Sequence, residues 1–276
     1  MTSARPNPAP SLYERRLEKE EATSATVSGP SSTTGLRHAP SLQGAREAVE
    51  NSTFATSVSS QLRLMQICSS ALPVGAFAYS HGLEGLVAAE RITDEPSAHR
   101  YLATYAPHAL GNLELPRLLR MVRACRNGNM AEARLQSRLL FAARETAEFR
   151  AQEGHLATAF HRLLRATTTD GRVAEEAPVT FAELYADTVV CAGVDERSAL
   201  AGFAFLWLEG QVTAMAKLLA LGPVSSQRLL SKLLDLVPDI LLHALSFDDD
   251  DIGAAAPGLA LASARHETQH FRLFRS

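Results

Sequence analysis

From about residue 59 onward, apolar side chains recur at three- and four-residue intervals, the repeat that lines up one face of an α-helix. No convincing two-residue alternation of a half-buried strand interrupts them. The clearest run is Leu135, Leu139, Ala142, Phe149, Leu156, Phe160 and Leu163, whose separations of 4, 3, 7, 7, 4 and 3 keep one stripe and predict one amphipathic helix, with Gly154 as its weak point. A second helix is expected to start at Asp195, a good N-cap, and to run through Ala199 to Leu221. It is apolar on all sides through Leu208, which predicts the central buried helix. Ser225 is then expected to open a leucine-rich helix through Leu229, Leu230, Leu233, Leu234, Val237, Ile240 and Leu241, which Pro238 must kink or divide. Further helices are predicted near 60–69, 81–91, 96–110, 114–127 and 178–191, with no 20–50-residue repeat. The expected fold is all-α: a single helical bundle domain of about eight to ten helices.

Composition changes this picture at one end of the chain. The first sixty residues hold 11 Ser, 7 Thr and 5 Pro with only Tyr13 and Phe54 as aromatics, too little apolar surface to offset the entropy of ordering. Residues 1–58 are therefore read as a disordered tail, with one short helix near Leu12 to Ala22, and 59–276 as the folded domain. Charge narrows the function. The chain carries 27 Lys+Arg against 30 Asp+Glu, a net −3, without the basic excess that neutralises nucleic-acid phosphates. Cys68, Cys125 and Cys191 are far apart and form no CxxC pair, so neither a disulfide framework nor a thiolate zinc site is expected, and a reducing compartment is the natural one. No secretory signal is expected, because no apolar segment follows the charged start. The charge-free run Ala199–Leu208 is shorter than the 18 or so residues of a membrane span, so none is expected.

Several segments carry side chains capable of chemistry. His266-Glu267-Thr268-Gln269-His270 matches HExxH, in which two histidines one helical turn apart bind zinc and the glutamate acts as base. Its third ligand normally lies downstream, where only Phe271 to Ser276 remain without His, Asp or Glu. In the segment from Ala71 to Glu84, Pro73 and Gly75 break a helix and Ser80 can cap the next. Leu83 and Leu86 are expected to turn inward there, with Phe77 and Tyr79 plugging the core. Two glycines seven residues apart and no Gly-Lys-Ser/Thr ending rule out a phosphate loop. His81 and Glu84, three apart, could share a helix face as metal ligands. Asp248 to Asp251 lacks the spacing of a calcium loop and reads as a solvated linker. Glu209, Thr213 and Lys217 form one polar stripe on the otherwise apolar helix, with Gln211 on another side, and such groups must be paired, line a channel or meet a partner. No Ser-His-Asp or Cys-His arrangement can be argued from spacing.

These same segments carry a family resemblance. Leu64-Met65-Gln66, followed by Leu72-Pro73-Val74-Gly75-Ala76-Phe77-Ala78-Tyr79-Ser80-His81-Gly82-Leu83-Glu84, is similar to the leucine-rich start and LPVGxFxYSxGLE segment of the UreF family of urease accessory proteins. Arg144-Glu145-Thr146 with Arg150 resembles the family's central RET helix. Trp207-Leu208-Glu209-Gly210-Gln211-Val212, Lys217 and Gln227-Arg228-Leu229-Leu230 follow its late core helices. Arg265-His266-Glu267-Thr268-Gln269 and Arg272-Leu273-Phe274-Arg275-Ser276 resemble its RHExQ and RLFxS ending. The blocks keep the family's order across roughly 60–276. The departures are the first sixty residues and Ala76 and Ala78, where Gly and Ser are common. In the family the position of His270 need not be histidine, which implies that the HExxH match is incidental.

The resemblance implies an all-α, dimeric, cytoplasmic protein with no catalysis of its own and no tightly bound cofactor. It would bind a UreD/UreH-type scaffold and, through it, the GTPase UreG, in a complex that regulates GTP-dependent nickel delivery to apo-urease. Nickel would be in transit only. The resemblance implies a partner-binding segment of Arg265, His266, Glu267, Gln269, Arg272, Leu273, Phe274 and Arg275. Tyr79, Ser80, His81, Glu84, Arg144, Glu145, Glu209, Gln211 and Lys217 are the remaining motif positions, with Glu84, Glu209 and Gln211 as candidates for a polar nickel path. Three arginines beside Leu273-Phe274 suit an anchor that is loosely packed until a partner fixes it. The competing reading is a zinc-dependent hydrolase using His266, Glu267 and His270.

Overall fold

The computed structural model describes residues 42–168, 178–254 and 256–275, with backbone alone for 42–54. Its α-helices are α1 (Leu42–Ile67), α2 (Leu83–Ala88), α3 (Glu95–Ala106), α4 (Leu115–Arg126), α5 (Met130–Ala142), α6 (Ala147–Thr167), α7 (Phe181–Cys191), α8 (Glu196–Leu218), α9 (Pro223–Leu234), α10 (Val237–Leu245) and α11 (Pro257–His266). There is no strand among the described residues, and the fold is the all-α bundle expected. The short helix expected near Leu12 lies outside the described residues. Helix α1 begins at Leu42, inside the stretch read from composition as tail, and crosses residue 58.

Caps explain most boundaries. Asp94, Asn129, Thr146, Thr180 and Asp195 each accept a backbone N–H of the first turn that would otherwise lack a partner. Asp195 is the N-cap its sequence suggested. The stripe from Leu135 to Leu163 is not one helix: the chain breaks at 143–146, where Thr146 takes extended backbone and its Oγ1 accepts the Phe149 N–H at 3.2 Å. Leu135 and Leu139 consequently face outward, 49% and 40% exposed, while Phe160 is buried. Helix α6 runs unbroken through Gly154. Downstream, Gly222 rather than Ser225 precedes the leucine-rich helix, and Pro223 occupies its first turn because it needs no N–H partner there. Pro238 divides the leucine run by sitting in the first turn of α10.

Helix α8 is the hub expected of it. It packs against α1, α2, α3, α4, α9 and α10, and buries Leu200, Phe203, Ala204, Leu208, Val212 and Met215. Its length and apolar content would suffice to cross a membrane, but half of its most apolar stretch is buried inside the bundle. The predicted helix 96–110 instead ends at Ala106 and passes into a π-helical stretch, Pro107–Glu114, which leads directly into α4. That wider winding carries Glu114 into the interior.

Candidate functional site

Residues 71–84 fold as a loop pinned by its glycines. Gly75 and Gly82 both have left-handed backbone, and a Cβ at Gly82 would stand 2.8 Å from the Leu259 side chain and 3.1 Å from the Phe149 ring. At Gly85 a Cβ would fall 2.5 Å from the Ala262 carbonyl oxygen, so α2 and α11 lie together only because this position has no side chain. Leu83 and Leu86 turn inward as expected. Ser80 Oγ accepts the Glu84 N–H at 3.3 Å, a local cap placed one residue-pair upstream of the Gly82 N-cap.

The close approach of α11 sets up a buried charge cluster. His266, the last residue of α11 and wholly inaccessible, reaches Glu148 on α6 with Nδ1 at 2.9 Å and Glu84 on α2 with Nε2 at 3.0 Å. Ser263 and Arg272 also donate to Glu148, at 3.3 and 3.4 Å. The two oxygens of Glu84 accept the backbone N–H groups of Leu273 (2.7 Å) and Phe274 (2.9 Å), and the Arg275 N–H reaches the Ala78 carbonyl at 2.8 Å. The chain's last described residues are thereby latched onto the 71–84 loop.

Lys217 completes the latch from α8. Its Nζ donates to the Phe77 carbonyl at 3.1 Å and stands 5.3 Å from the Phe77 ring centre and 5.4 Å from that of Phe274. Tyr79 is buried and its hydroxyl pairs with His155 Nδ1 at 2.7 Å. Phe77, expected in the core, is 69% exposed, because the turn Ala76–Ala78 points it away from the bundle and under the lysine. The C-terminal segment is not loose: Phe274 is buried. Around it Phe271, 90% exposed, Leu273, Arg265, Glu267, Arg272 and Arg275 face outward, and Gln269 folds back onto the Phe271 carbonyl.

A second cluster joins the π-helical stretch to α6. Arg144, in the break before α6, binds both oxygens of Glu114 and donates from Nε and Nη2 to Glu153 Oε2 at 3.0 and 2.7 Å. Burial opposes its charge, and the two carboxylates more than reverse that, holding the guanidinium above its ordinary pKa. Glu153 Oε1 also accepts the Phe181 N–H at 2.9 Å, at the positive end of α7. His81 faces this cluster. It precedes α2 with left-handed backbone (φ 54°), so it shares no helix face with Glu84 and the two do not meet as metal ligands. Burial first, and Arg144 second, lower the pKa of its imidazole to about 4, so the ring is neutral, and it pairs with Gln152 Nε2 at 2.8 Å. Glu145 points to solvent.

Glu209 and Gln211 flank Gly210 on α8 and line two neighbouring chambers. Thr213 donates to Glu209 at 3.4 Å. The first chamber is bounded by Cys68, whose thiol burial pushes up to about 11 and which hydrogen-bonds the Gly202 carbonyl, so it is no nucleophile. The structure thus gathers Tyr79, Ser80, Glu84, Lys217, His266 and Phe274 at the latch and His81, Arg144 and Gln211 at the second chamber. Glu84 joins neither Glu209 nor Gln211. Glu148, Glu114, Glu153 and Gln152 were missed in the sequence, although the need of buried Arg144 and His266 for polar partners was a signal that they existed.

The zinc-hydrolase reading fails on this geometry. Helix α11 ends at His266, so His270 does not follow it one helical turn along the same face, and His270 and Glu267 are both exposed. Both nitrogens of His266 are spent, on carboxylates at opposite edges of the ring that no single ion could reach together. No group of three His, Cys, Asp or Glu among the described residues is arranged to hold a metal.

The described residues thus form a helical bundle whose buried polar side chains fasten the 71–84 loop and the last described residues to the helices. The sequence model of the UreF family matches residues 92–234. The urease accessory protein UreF of Chromohalobacter salexigens is 41% identical over 221 residues, covering 77% of this chain and 93% of that protein. The UreF of Teredinibacter turnerae is 37% identical over 216 residues, covering 78% and 98%. The chain belongs to the UreF family of urease accessory proteins, which assist an enzyme rather than being one.

Proposed function

We propose that this protein is a cytoplasmic, homodimeric adaptor that binds a UreD/UreH-type scaffold and, through it, the GTPase UreG, and so regulates GTP-dependent insertion of nickel into apo-urease. The observation that carries the reading is the latch. It holds the terminal segment in a fixed shape while presenting Phe271, Leu273, Arg265, Arg272 and Arg275 outward, an apolar centre ringed by cations of the kind partner surfaces use as anchors. His266, Glu267, Gln269 and Phe274 act from behind or beside that surface, with His266 and Phe274 fixing its shape.

Nickel is cargo in this proposal. Glu84 is committed to the latch, so the polar path falls to Glu209 and Gln211 on either side of Gly210, with Tyr79, Ser80, His81, Arg144, Glu145 and Lys217 shaping the surroundings. Co-expression of the full chain with the scaffold and GTPase, followed by purification through a tag on this chain, tests the reading. A complex of all three that supports nickel-dependent urease activation is expected. Recovery of this chain alone, with urease activation unchanged by its deletion, would overturn it.

A further inference from the structure

The second chamber contains a buried group with nothing to bind. Gln211 is fully inaccessible, and neither its Oε1 nor its Nε2 has a hydrogen-bond partner among the described residues. A buried amide left in that state costs free energy on both atoms, and native proteins rarely tolerate it. Gln211 lines a chamber of about 120 Å³ open to water centres, together with His81, Glu114, Arg144, Gln152 and Glu153. Roughly 10–15 Å³ of such space holds one water, so there is room for several.

His81 supplies an independent observation. A non-glycine residue with φ 54° stores backbone strain that its surroundings must repay. Its ring is neutral. Gln152 Nε2 lies nearer Nδ1, at 2.8 Å, than Nε2, at 3.2 Å, so it donates to Nδ1 and the ring's proton goes to Nε2. That edge faces α8: a Cβ at Gly210 would stand 4.0 Å from Nε2, one residue before Gln211.

Charge decides between two occupants. Arg144, Glu114 and Glu153 sum to −1, which by itself would suit a small cation. The second carboxylate is already compensated, because Glu153 accepts the Phe181 N–H at the positive end of α7. Gln211 Oε1 could meet a cation in passing, but its orphaned Nε2 is a donor that needs an acceptor, which a resident cation does not supply. Water alone answers a free donor and a free acceptor on the same amide.

The geometry points to a permanent water cluster in this chamber, bridging His81 Nε2–H to Gln211 Oε1 and Gln211 Nε2–H to the carboxylates around Arg144. The cluster is a binding site for water that ties the 71–84 loop to α8. Gln211 is its positioning residue.

A crystal structure of the full chain at better than about 2 Å is the test. Ordered waters are expected within about 3.2 Å of both Gln211 amide atoms. A Gln211 amide turned onto a protein partner, or a chamber without density, would overturn the proposal. Gln211→Leu gives a second readout on the intact chain. If the amide is satisfied by water, its loss lowers the melting temperature by about 2–4 °C, whereas removing an amide that is unsatisfied leaves it unchanged or raises it. An unchanged or raised melting temperature therefore counts against the cluster. Should this variant fail to fold, the wild-type density alone decides.

Discussion

Two buried clusters in this protein share one formula, a basic side chain held between two glutamates, and differ in what they fasten. Arg144 with Glu114 and Glu153 joins the π-helical stretch, the break before α6 and α6 itself, all within the bundle. His266 with Glu84 and Glu148 joins the last helix to the 71–84 loop and, through Glu84, holds the end of the chain. The guanidinium forks onto its two glutamates through three nitrogens, whereas the imidazole meets each of its glutamates through a single ring nitrogen. The carboxylates also differ in what remains if the basic side chain goes. Glu84 and Glu148 keep backbone N–H, serine and arginine donors, while Glu114 keeps no other donor that the structure shows. The first cluster is a rivet that no other donor replaces at Glu114, and the second a clasp whose glutamates keep other donors.

The largest effect should come from breaking the rivet. Arg144→Met strands two buried carboxylates and is expected to cost about 3–5 kcal/mol, a fall of about 10 °C in melting temperature by differential scanning calorimetry. Lysine should not rescue it, since one ammonium cannot reproduce the forked contacts to both glutamates. A loss under 1 kcal/mol would mean that the cluster contributes nothing beyond its packing.

Acidification sharpens the same region through His81. Its folded pKa of about 4 lies below the ordinary 6.5, so the native state binds fewer protons than the unfolded chain between those values. The neutral ring's contribution is complete above about pH 6.5 and is lost as the pH falls toward about 4, a difference of about 3 kcal/mol. Denaturant titrations at pH 7 and 4.5 should show that slope, and His81→Asn, which tolerates left-handed backbone, should flatten it. A slope equal in both proteins would place the titration elsewhere.

Opening the clasp should be milder and more local. His266→Leu is expected to cost about 1–3 kcal/mol, because other donors keep the two glutamates satisfied. Hydrogen exchange at the Leu273 and Phe274 amides should accelerate at least tenfold while α4 amides keep their relative order. Uniform acceleration across the bundle would erase the distinction between clasp and rivet. Smaller again is Lys217→Met, which keeps the stem and loses the charge near the Phe77 and Phe274 rings. A cost of about 0.5–1 kcal/mol is expected in thermal melts.

How much of this the sequence disclosed follows from the range of each interaction. Caps and hydrophobic spacing act within one turn, so Asp195, the buried α8 and the division at Pro238 were legible. The break at 143–146 was hidden because Leu135 to Leu163 kept helical phase across it, and what turns Arg144 inward is Glu114, thirty residues away. The same distance hid the clasp: Glu84 and His266 were both named, but their pairing spans 182 residues and depends on Gly85 letting two helices touch. Phe77 was misplaced for a related reason, since a lysine on α8 offers an exposed ring a partner that apolar spacing does not register.

The central claim is that the latched C-terminal surface is what the scaffold grips. Deleting residues 265–276 would remove His266 and Phe274 along with that surface, so substitution of its outward side chains is the cleaner probe. Affinity of the full chain carrying Phe271→Ala, Leu273→Ala and Arg275→Ala for a UreD/UreH-type scaffold, measured by calorimetry beside its melting temperature, tests the claim most directly. The account predicts a melting temperature within about 3 °C of wild type, because all three side chains are exposed, and scaffold binding weakened at least tenfold. Undiminished binding by the folded triple variant would contradict it.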